Sequence, residues 1–357
     1  VQKGYLLLET GHVFEGTLLG NSLESTGEVV FNTSMTGYQE IMSDPSYAGQ
    51  IIVFCYPLVG NYGINEADFE SNKLYIRGIV TGEICVNPQH FQMKETTVDT
   101  LNRNGINGLT GVDTRQIVKI IRKYGSVKGK ITTNPSNVSF NADTTFFIDQ
   151  VSTKSIQKYS NDGPHVVLID YGSKKSILRA LLNENCKVTV VPYNTTLVEI
   201  QKLNPDGIVL SNGPGDPMAL SEYLKDIKLI TEMYPTLGIC LGHQLIALAH
   251  GGKTTKLPFG HRGGNHPVKE VETGKVFITS QNHGYVVDEK SIINNQNFHI
   301  TYFNINDRTV EGIRHKQLPI SSVQFHPEAN PGPQDTEHIF KKFIKNIHQG
   351  ELTYAAQ

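Results

Sequence analysis

Cys240 stands at the centre of Gly238-Ile239-Cys240-Leu241-Gly242, the G-x-nucleophile-x-G spacing of a nucleophile elbow. A strained turn of this kind needs small neighbours two residues to either side, because a Cβ there collides with the strand or helix being joined. Behind it, Leu241, Leu245, Ile246 and Ala249 recur at helical spacing, and Gly251 and Gly252 supply the stop. The segment reads as strand, elbow, helix. A thiol at a helix N-terminus feels the positive end of the dipole and loses its proton more easily, while the amide of the next residue, Leu241, can point toward a developing oxyanion. Cys55, Cys85 and Cys186 lack this setting and read as ordinary small apolar residues.

A thiolate nucleophile needs a base that later acts as an acid, and the base needs an orienting group. Near the C-terminus, "ISSVQFHPEANPGP" ends an apolar strand with His326, Pro327 and Glu328. Residues two apart on an extended chain face the same way, so the Glu328 carboxylate can hold the tautomer and orientation of the His326 imidazole. The chain has thirteen histidines, so a metal site is the competing use of this chemistry. Cys240 and His243 have C-x-x-H spacing, but no second tight pair completes a tetrahedral set, and no metal is expected. His261, His266 and His283 fall in glycine-rich stretches, and "GHRGGNHP" reads as a loop near the active site.

The elements that must position these groups change character along the chain. The first ~150 residues read as short strands and turns: a hairpin in "GYLLLETGHVFEGTLLG", then strands in "GEVVFNTSM" and "QIIVFCYPLVGN". The clearest helix there is "DTRQIVKIIRKYG", with Asp113 as cap, Ile117, Ile120, Ile121 and Tyr124 on one apolar face, and Gly125 as terminator. Residues 151–163, "VSTKSIQKYSNDG", are polar and without apolar periodicity, and read as a linker. From 164 to 357 strands alternate with helices: "HVVLIDYG", "SKKSILRALLNENC", "KVTVVPY", "TLVEIQKLN" and "DGIVLSNGPGDP". That alternation predicts right-handed βαβ units around a parallel sheet, with ligands at the carboxyl ends of its strands. The fold class is therefore α/β, with a doubly wound, mostly parallel C-terminal sheet and a mixed α/β N-terminal domain at 1–150.

Composition narrows the function. Among 357 residues, 32 Lys and Arg oppose 34 Asp and Glu, a formal charge of −2 that argues against a general polyanion binder such as a nucleic-acid protein. The four cysteines are far apart with no C-x-x-C, which points to free thiols in a reducing compartment. No apolar run reaches the roughly 20 residues of a membrane span, and "VQKGYLLLETGHVFEG" lacks a signal-peptide pattern, so no membrane association is expected. The first strand-to-helix turn, "DYGSKKS", has one glycine where a dinucleotide fold carries three, and G-x-x-x-x-G-K-[ST] is absent, so no nucleotide cofactor is expected on this chain. Heavy use of Asn, Ile and Lys fits an AT-rich genome: cytoplasmic if bacterial, plastid stroma if plastid-encoded or imported.

"GICLGHQ", "SNGPGDP", "GHRGGNHPV", "SQNHGY" and "HPEA" together resemble the class I, triad-type glutamine amidotransferases. "EVVFNTSMTGYQEIMSDPSYAGQII" and "YPLVGNYG" narrow the resemblance to the small subunit of glutamine-dependent carbamoyl-phosphate synthetase, and it covers both halves of the chain. The resemblance implies that Cys240 attacks the side-chain amide of glutamine, that His326 shuttles the proton to departing ammonia, and that Glu328 orients His326. It implies oxyanion donors at the amides of Leu241 and Gly215, and a glutamine pocket of Ser46, Gly213, Gly215, Leu241, Gln244, Asn282, Gly284 and Tyr285. The last of these stands where relatives carry Phe. It also implies a partner, a large synthetase subunit that binds ATP and Mg, uses bicarbonate and receives ammonia through an internal tunnel. Carbamoyl phosphate then feeds arginine and pyrimidine synthesis. Alternatives at this stage are the amidotransferase component of an anthranilate or GMP synthase, which would not need the first ~150 residues, a non-catalytic regulatory subunit, and a general cysteine hydrolase.

Overall fold

In the computed structural model, which describes residues 2–20, 24–136, 138–140 and 145–354, the chain divides between Thr145 and Phe146 into two units. The first opens with the expected hairpin: β1 (Lys3–Leu8) and β2 (Val13–Leu19) pair antiparallel. The chain continues through β3 (Glu24–Asn32), α1 (Tyr38–Ser43), β4 (Gln50–Phe54), β5 (Leu58–Val59), β6 (Gly78–Val80), β7 (Glu83–Ile84), α2 (Thr97–Asn104), β8 (Asn107–Thr110), α3 (Thr114–Tyr124) and β9 (Val127–Thr132). Its strands close into a barrel in the order β1-β2-β8-β6-β4-β3-β9. Closure leaves the barrel itself without an edge strand, while β5 and β7 pair apart from it as a two-stranded parallel sheet.

Asp113 caps α3 as its sequence predicts, its side chain accepting from the Gln116 amide at 2.9 Å, and Gly125 ends the helix at φ 84°. Ile117, Ile120 and Ile121 are buried. Tyr124 departs from expectation: it is 52% exposed, with the Lys123 ammonium 5.0 Å over its ring. In the last turn an aromatic can leave the core face and still shield its ring with a neighbouring cation.

The second unit begins with α4 (Phe147–Val151) and β10 (Gln157–Tyr159), which corrects the linker assigned to 151–163. β10 is an edge strand, antiparallel to β12 (Lys187–Pro192), with Lys158 opposite Thr189. A short, exposed edge strand carries polar residues, so its sequence imitates a linker.

Between these lie β11 (His165–Asp170) and α5 (Lys175–Asn183), and after β12 come α6 (Leu197–Leu203), β13 (Gly207–Leu210), α7 (Leu224–Met233), β14 (Thr236–Ile239) and α8 (Leu241–Ala249). β15 (Thr254–Glu270), β16 (Val276–Val287), α9 (Glu289–Asn294), β17 (Phe298–Asn304), β18 (Val310–His315), β19 (Ile320–Val323) and α10 (His338–Tyr354) complete the unit. Among the described residues, ten strands form one sheet in the order β10-β12-β11-β13-β14-β19-β18-β16-β15-β17, parallel from β12 to β19.

Alternation along β11 sorts its side chains to two cores. Val167 and Ile169 pack with Ile200, Ile227, Ile230 and Leu245 of α6, α7 and α8. Val166 and Leu168 pack with Ile177 and Leu181 of α5 and Phe340 and Phe343 of α10. Helices on both faces of a parallel sheet are the predicted doubly wound α/β architecture. No helix among the described residues is long and apolar enough to cross a membrane.

Candidate active site

Cys240 occupies the junction between β14 and α8 at φ 54° and ψ −102°, a conformation that L-residues rarely adopt. The flanking glycines are required sterically. A Cβ on Gly242 would lie 2.2 Å from the Leu210 carbonyl oxygen, and one on Gly238 would lie 2.7 Å from the Gly242 oxygen. The turn is tied down by Cys240 N donating to Val323 O at 2.9 Å and Gly242 N donating to Ser211 O at 3.1 Å. As the first residue of α8, Leu241 presents an amide with no acceptor inside the helix.

His326 reaches the elbow from beyond the end of β19, where its amide donates to Ser280 O of β16 at 2.9 Å. Its Nδ1 lies 2.6 Å from Glu328 Oε1. The two groups meet across a turn, closed by Ala329 N donating to His326 O, and not along an extended strand. Pro327 cannot extend the ladder, and Ala329 and Asn330 adopt positive φ, so the chain bends there. With Nδ1 engaged, Nε2 is the nitrogen left for chemistry; among the described residues it has no partner of hydrogen-bond geometry. Burial disfavours the imidazolium, but the Glu328 carboxylate and the nearby Cys240 sulfur overcome it and raise His326 to about 10. Phe325, between Gln324 and His326, is fully buried and packs edge-on against Tyr302 at 5.4 Å.

Glu328 is itself held by a residue absent from the sequence-based set. Lys174, just before α5, directs Nζ to Glu328 Oε1 at 3.1 Å and also donates to the Ala329 carbonyl. Burial opposes ionisation of Glu328, and Lys174 first and His326 second reverse this, lowering it to about 2. Gln324 is the second omission: its Nε2 lies 3.6 Å from Cys240 Sγ, and its Oε1 accepts from Gln244 Nε2 at 3.0 Å. Extending the two-residue rhythm of Glu328 and His326 one step back would have found it.

The structure brings most of the expected pocket to this elbow. Gln244 Nε2 donates to Tyr285 O at 2.8 Å, and Cys240 Sγ to Asn282 O at 3.7 Å. Tyr285 donates its hydroxyl to Asp216 at 3.0 Å, which fastens β16 to the turn containing Gly213 and Gly215. Gly213 backs onto α8, since a Cβ there would meet Leu241 Cδ2 at 2.8 Å and Tyr171 O at 2.4 Å; Gly215 sits at φ 91°. Gly284 lies between Asn282 and Tyr285 on β16, with only Arg262 Nη2 within contact of an added Cβ, at 3.6 Å. Ser46 belongs to the first unit, buried on a short 3-10 turn, its amide donating to Asp44 at 2.9 Å.

"GHRGGNHP" is strand and not loop. It lies in β15, which forms a bulged antiparallel hairpin with β16 and pairs Arg262 with Asn282. Its glycines permit bulges at Gly260 and Gly263 while the ladder continues. The histidines there form a polar network: one potential ligand atom from each of His261, His283 and Glu311 lies within 4.8 Å of the others. Gln281 Oε1 already sits 2.9 Å from a nitrogen of each imidazole. Burial works against a charge on His261, but Asp307 at 2.7 Å and Glu311 at 3.6 Å raise it to about 9. These contacts supply partners without an ion. His243 bonds Ser322 Oγ at 2.8 Å, and burial lowers it to about 3, so it is a neutral packing residue.

Comparison with known proteins adds an independent line. Residues 6–131 match the family model for the carbamoyl-phosphate synthase small chain, CPSase domain, and residues 167–346 match the glutamine amidotransferase class-I model. The chain is 52% identical over 349 residues to the carbamoyl phosphate synthase small chain of Fusobacterium nucleatum, covering 96% of this chain and 97% of the other. It is 51% identical over 345 residues to the arginine-specific small chain of Bacillus subtilis, covering 97% of each. With that of Halalkalibacterium halodurans it shares 48% identity over 359 residues, covering 99% of this chain and 100% of the relative.

Proposed function

Because the chain belongs to the family of carbamoyl phosphate synthase small chains, with a class-I glutamine amidotransferase domain in its second half, we propose how its residues divide the work of glutamine hydrolysis. Cys240 passes its proton to His326 Nε2 and attacks the side-chain carboxamide carbon of glutamine, forming a C–S bond as the C=O π pair moves to oxygen. The negative charge that develops on oxygen is met by the amides of Leu241 and Gly215; such a donor is worth roughly 10²- to 10³-fold in rate. His326 delivers its proton from Nε2 to the departing nitrogen, the C–N bond breaks, and ammonia leaves. Water, deprotonated by His326, then adds to the thioester, and the C–S bond breaks to give glutamate while His326 returns that proton to the sulfur and regenerates the thiol. Glu328 holds the imidazole and stabilises its charge. Gly213, Gln244, Asn282, Gly284 and Tyr285 bind the substrate, with backbone groups at the glycines reaching its charged end.

The observation that carries this reading is the strained Cys240 elbow beside a buried imidazole whose other nitrogen is 2.6 Å from a carboxylate. The proposal includes a large-subunit partner that holds ATP and Mg and receives the ammonia. No metal or cofactor is assigned to this chain. Two of the relatives above are named arginine-specific, which supports arginine synthesis as one destination of the product. We extend the proposal to pyrimidine synthesis and to a cytoplasmic location. Replacing Cys240 by Ser tests it: glutamate release should vanish while the complex with a large subunit still makes carbamoyl phosphate from supplied ammonia. Glutamate release at the wild-type rate would end the catalytic reading.

A further inference from the structure

Gln324 is fully buried and its backbone is pinned, its amide donating to the Glu311 carbonyl at 2.8 Å. Its side-chain amide has two neighbours, Cys240 Sγ at 3.6 Å and Gln244 Nε2 at 3.0 Å. The orientation of that amide follows from hydrogen-bond logic. Gln244 faces the Tyr285 backbone carbonyl at 2.8 Å, which can only accept, so Gln244 must present its NH2 group there. The same NH2 group faces Gln324, which must therefore answer with its oxygen, and its own NH2 group is turned to the sulfur.

The sulfur thus lies between one donor and one acceptor. As a thiol it donates to Asn282 O at 3.7 Å. As a thiolate it finds the Asn282 carbonyl repulsive and the Gln324 N–H attractive, and a hydrogen bond to an ionised acceptor is about twice as strong as a neutral one. Cys240 is 2% exposed, so there is almost no water to replace that donor. The imidazolium also faces the sulfur, but it gives up its proton during the reaction; an amide keeps its own and can serve each time the thiolate forms or is expelled.

We propose that Gln324 is a catalytic residue whose side-chain amide donates to the Cys240 thiolate, held in that orientation by Gln244. The inference rests on Cys240 being the nucleophile, and goes further by linking a residue of the glutamine pocket to the reacting sulfur through a single amide.

The test uses the full chain carrying Gln324→Glu, which keeps the shape and replaces the donor by an acceptor, and Gln324→Met, which removes both. Mass spectrometry of the Cys240 peptide follows iodoacetamide alkylation across pH. Both variants should alkylate about 10- to 100-fold more slowly at neutral pH, with the profile moved to higher pH, and kcat for glutamine should fall by a similar factor with a smaller change in KM. Profiles that coincide with wild type in variants of unchanged circular dichroism would overturn the inference. If the variants fail to fold, the 15N resonance of the Gln324 side-chain amide in the unsubstituted chain decides: it should move when Cys240 is alkylated, and a stationary signal rejects the contact. Cys240→Ser separates the two claims. Loss of glutamate release there, with unaltered alkylation profiles in the Gln324 variants, leaves the nucleophile standing and removes only Gln324.

Discussion

The Lys174 ammonium lies 3.1 Å from Glu328 Oε1, and both side chains are buried. The pair joins residues 154 positions apart in sequence and places a fixed positive charge behind the carboxylate that holds His326. Charge therefore alternates from Lys174 to Glu328 to His326, and each group biases the protonation of the next.

Lys174→Met should uncouple that series. Removing one partner of a buried pair typically costs about 3–5 kcal/mol, because the remaining charge is left unpaired. Glu328 should then titrate well above about 2, and the acid limb of glutamine hydrolysis should move to higher pH. Thermal unfolding and a pH–rate profile measure the two effects; an unmoved acid limb would remove Lys174 from the chemistry.

Glu328→Gln keeps the shape and discards the charge that most strongly favours protonated His326. In the unsubstituted chain the proton needed by the leaving nitrogen is retained until pH approaches about 10, so the alkaline limb should lie near there. The variant should show that limb at lower pH and a rate reduced about 10²- to 10⁴-fold. Steady-state glutaminase kinetics from pH 6 to about 10.5 provide the comparison.

Two glycines near the site should respond oppositely to alanine. Gly242→Ala drives a Cβ to 2.2 Å from backbone at Leu210, which cannot give way, so stability should drop by about 1–3 kcal/mol or more and activity should go with it. Gly284→Ala meets nothing closer than 3.6 Å, and stability should stay within about 0.5 kcal/mol. Its effect should instead be a raised KM for glutamine, as expected if the backbone there approaches the substrate. Urea unfolding paired with kinetics distinguishes the two.

His261 makes stability depend on alkali. Its affinity for a proton is raised on folding from 6.5 to about 9, so its contribution is fully present below about 6.5 and is lost as pH climbs through about 9. The groups facing it are Asp307, Glu311, His266 and His283. The shift corresponds to on the order of 3 kcal/mol. In His261→Gln, urea midpoints measured from pH 6 to about 9.5 should fall less steeply than in the unsubstituted chain; parallel curves would show that the imidazole carries no such linkage.

The cluster of Cys240, His326 and Glu328 was legible because each member sits in a local pattern: paired glycines around Cys240, and His326 beside Glu328. Lys174 was not, since its partner lies 154 positions away in sequence and a lone lysine in a polar turn carries no local pattern that points to it. Gln324 hid in an apolar strand pattern, where an amide looks like a polar interruption. The parallel sheet of the second unit followed from alternating strands and helices. The barrel of the first did not, because its parallel pairs β3–β4, β4–β6 and β6–β8 join strands separated by irregular chain or helix, and closure leaves no mark on local periodicity.

Phe325, wedged against Tyr302 between the amide at 324 and the imidazole at 326, makes one ring the anchor for both groups. The spacing of those groups is thereby inherited from apolar filling several ångströms away from any bond that changes. Slackening of that filling, by heat or by a smaller side chain at 325, would blunt the chemistry while most of the sheet was still intact, so inactivation should run ahead of melting.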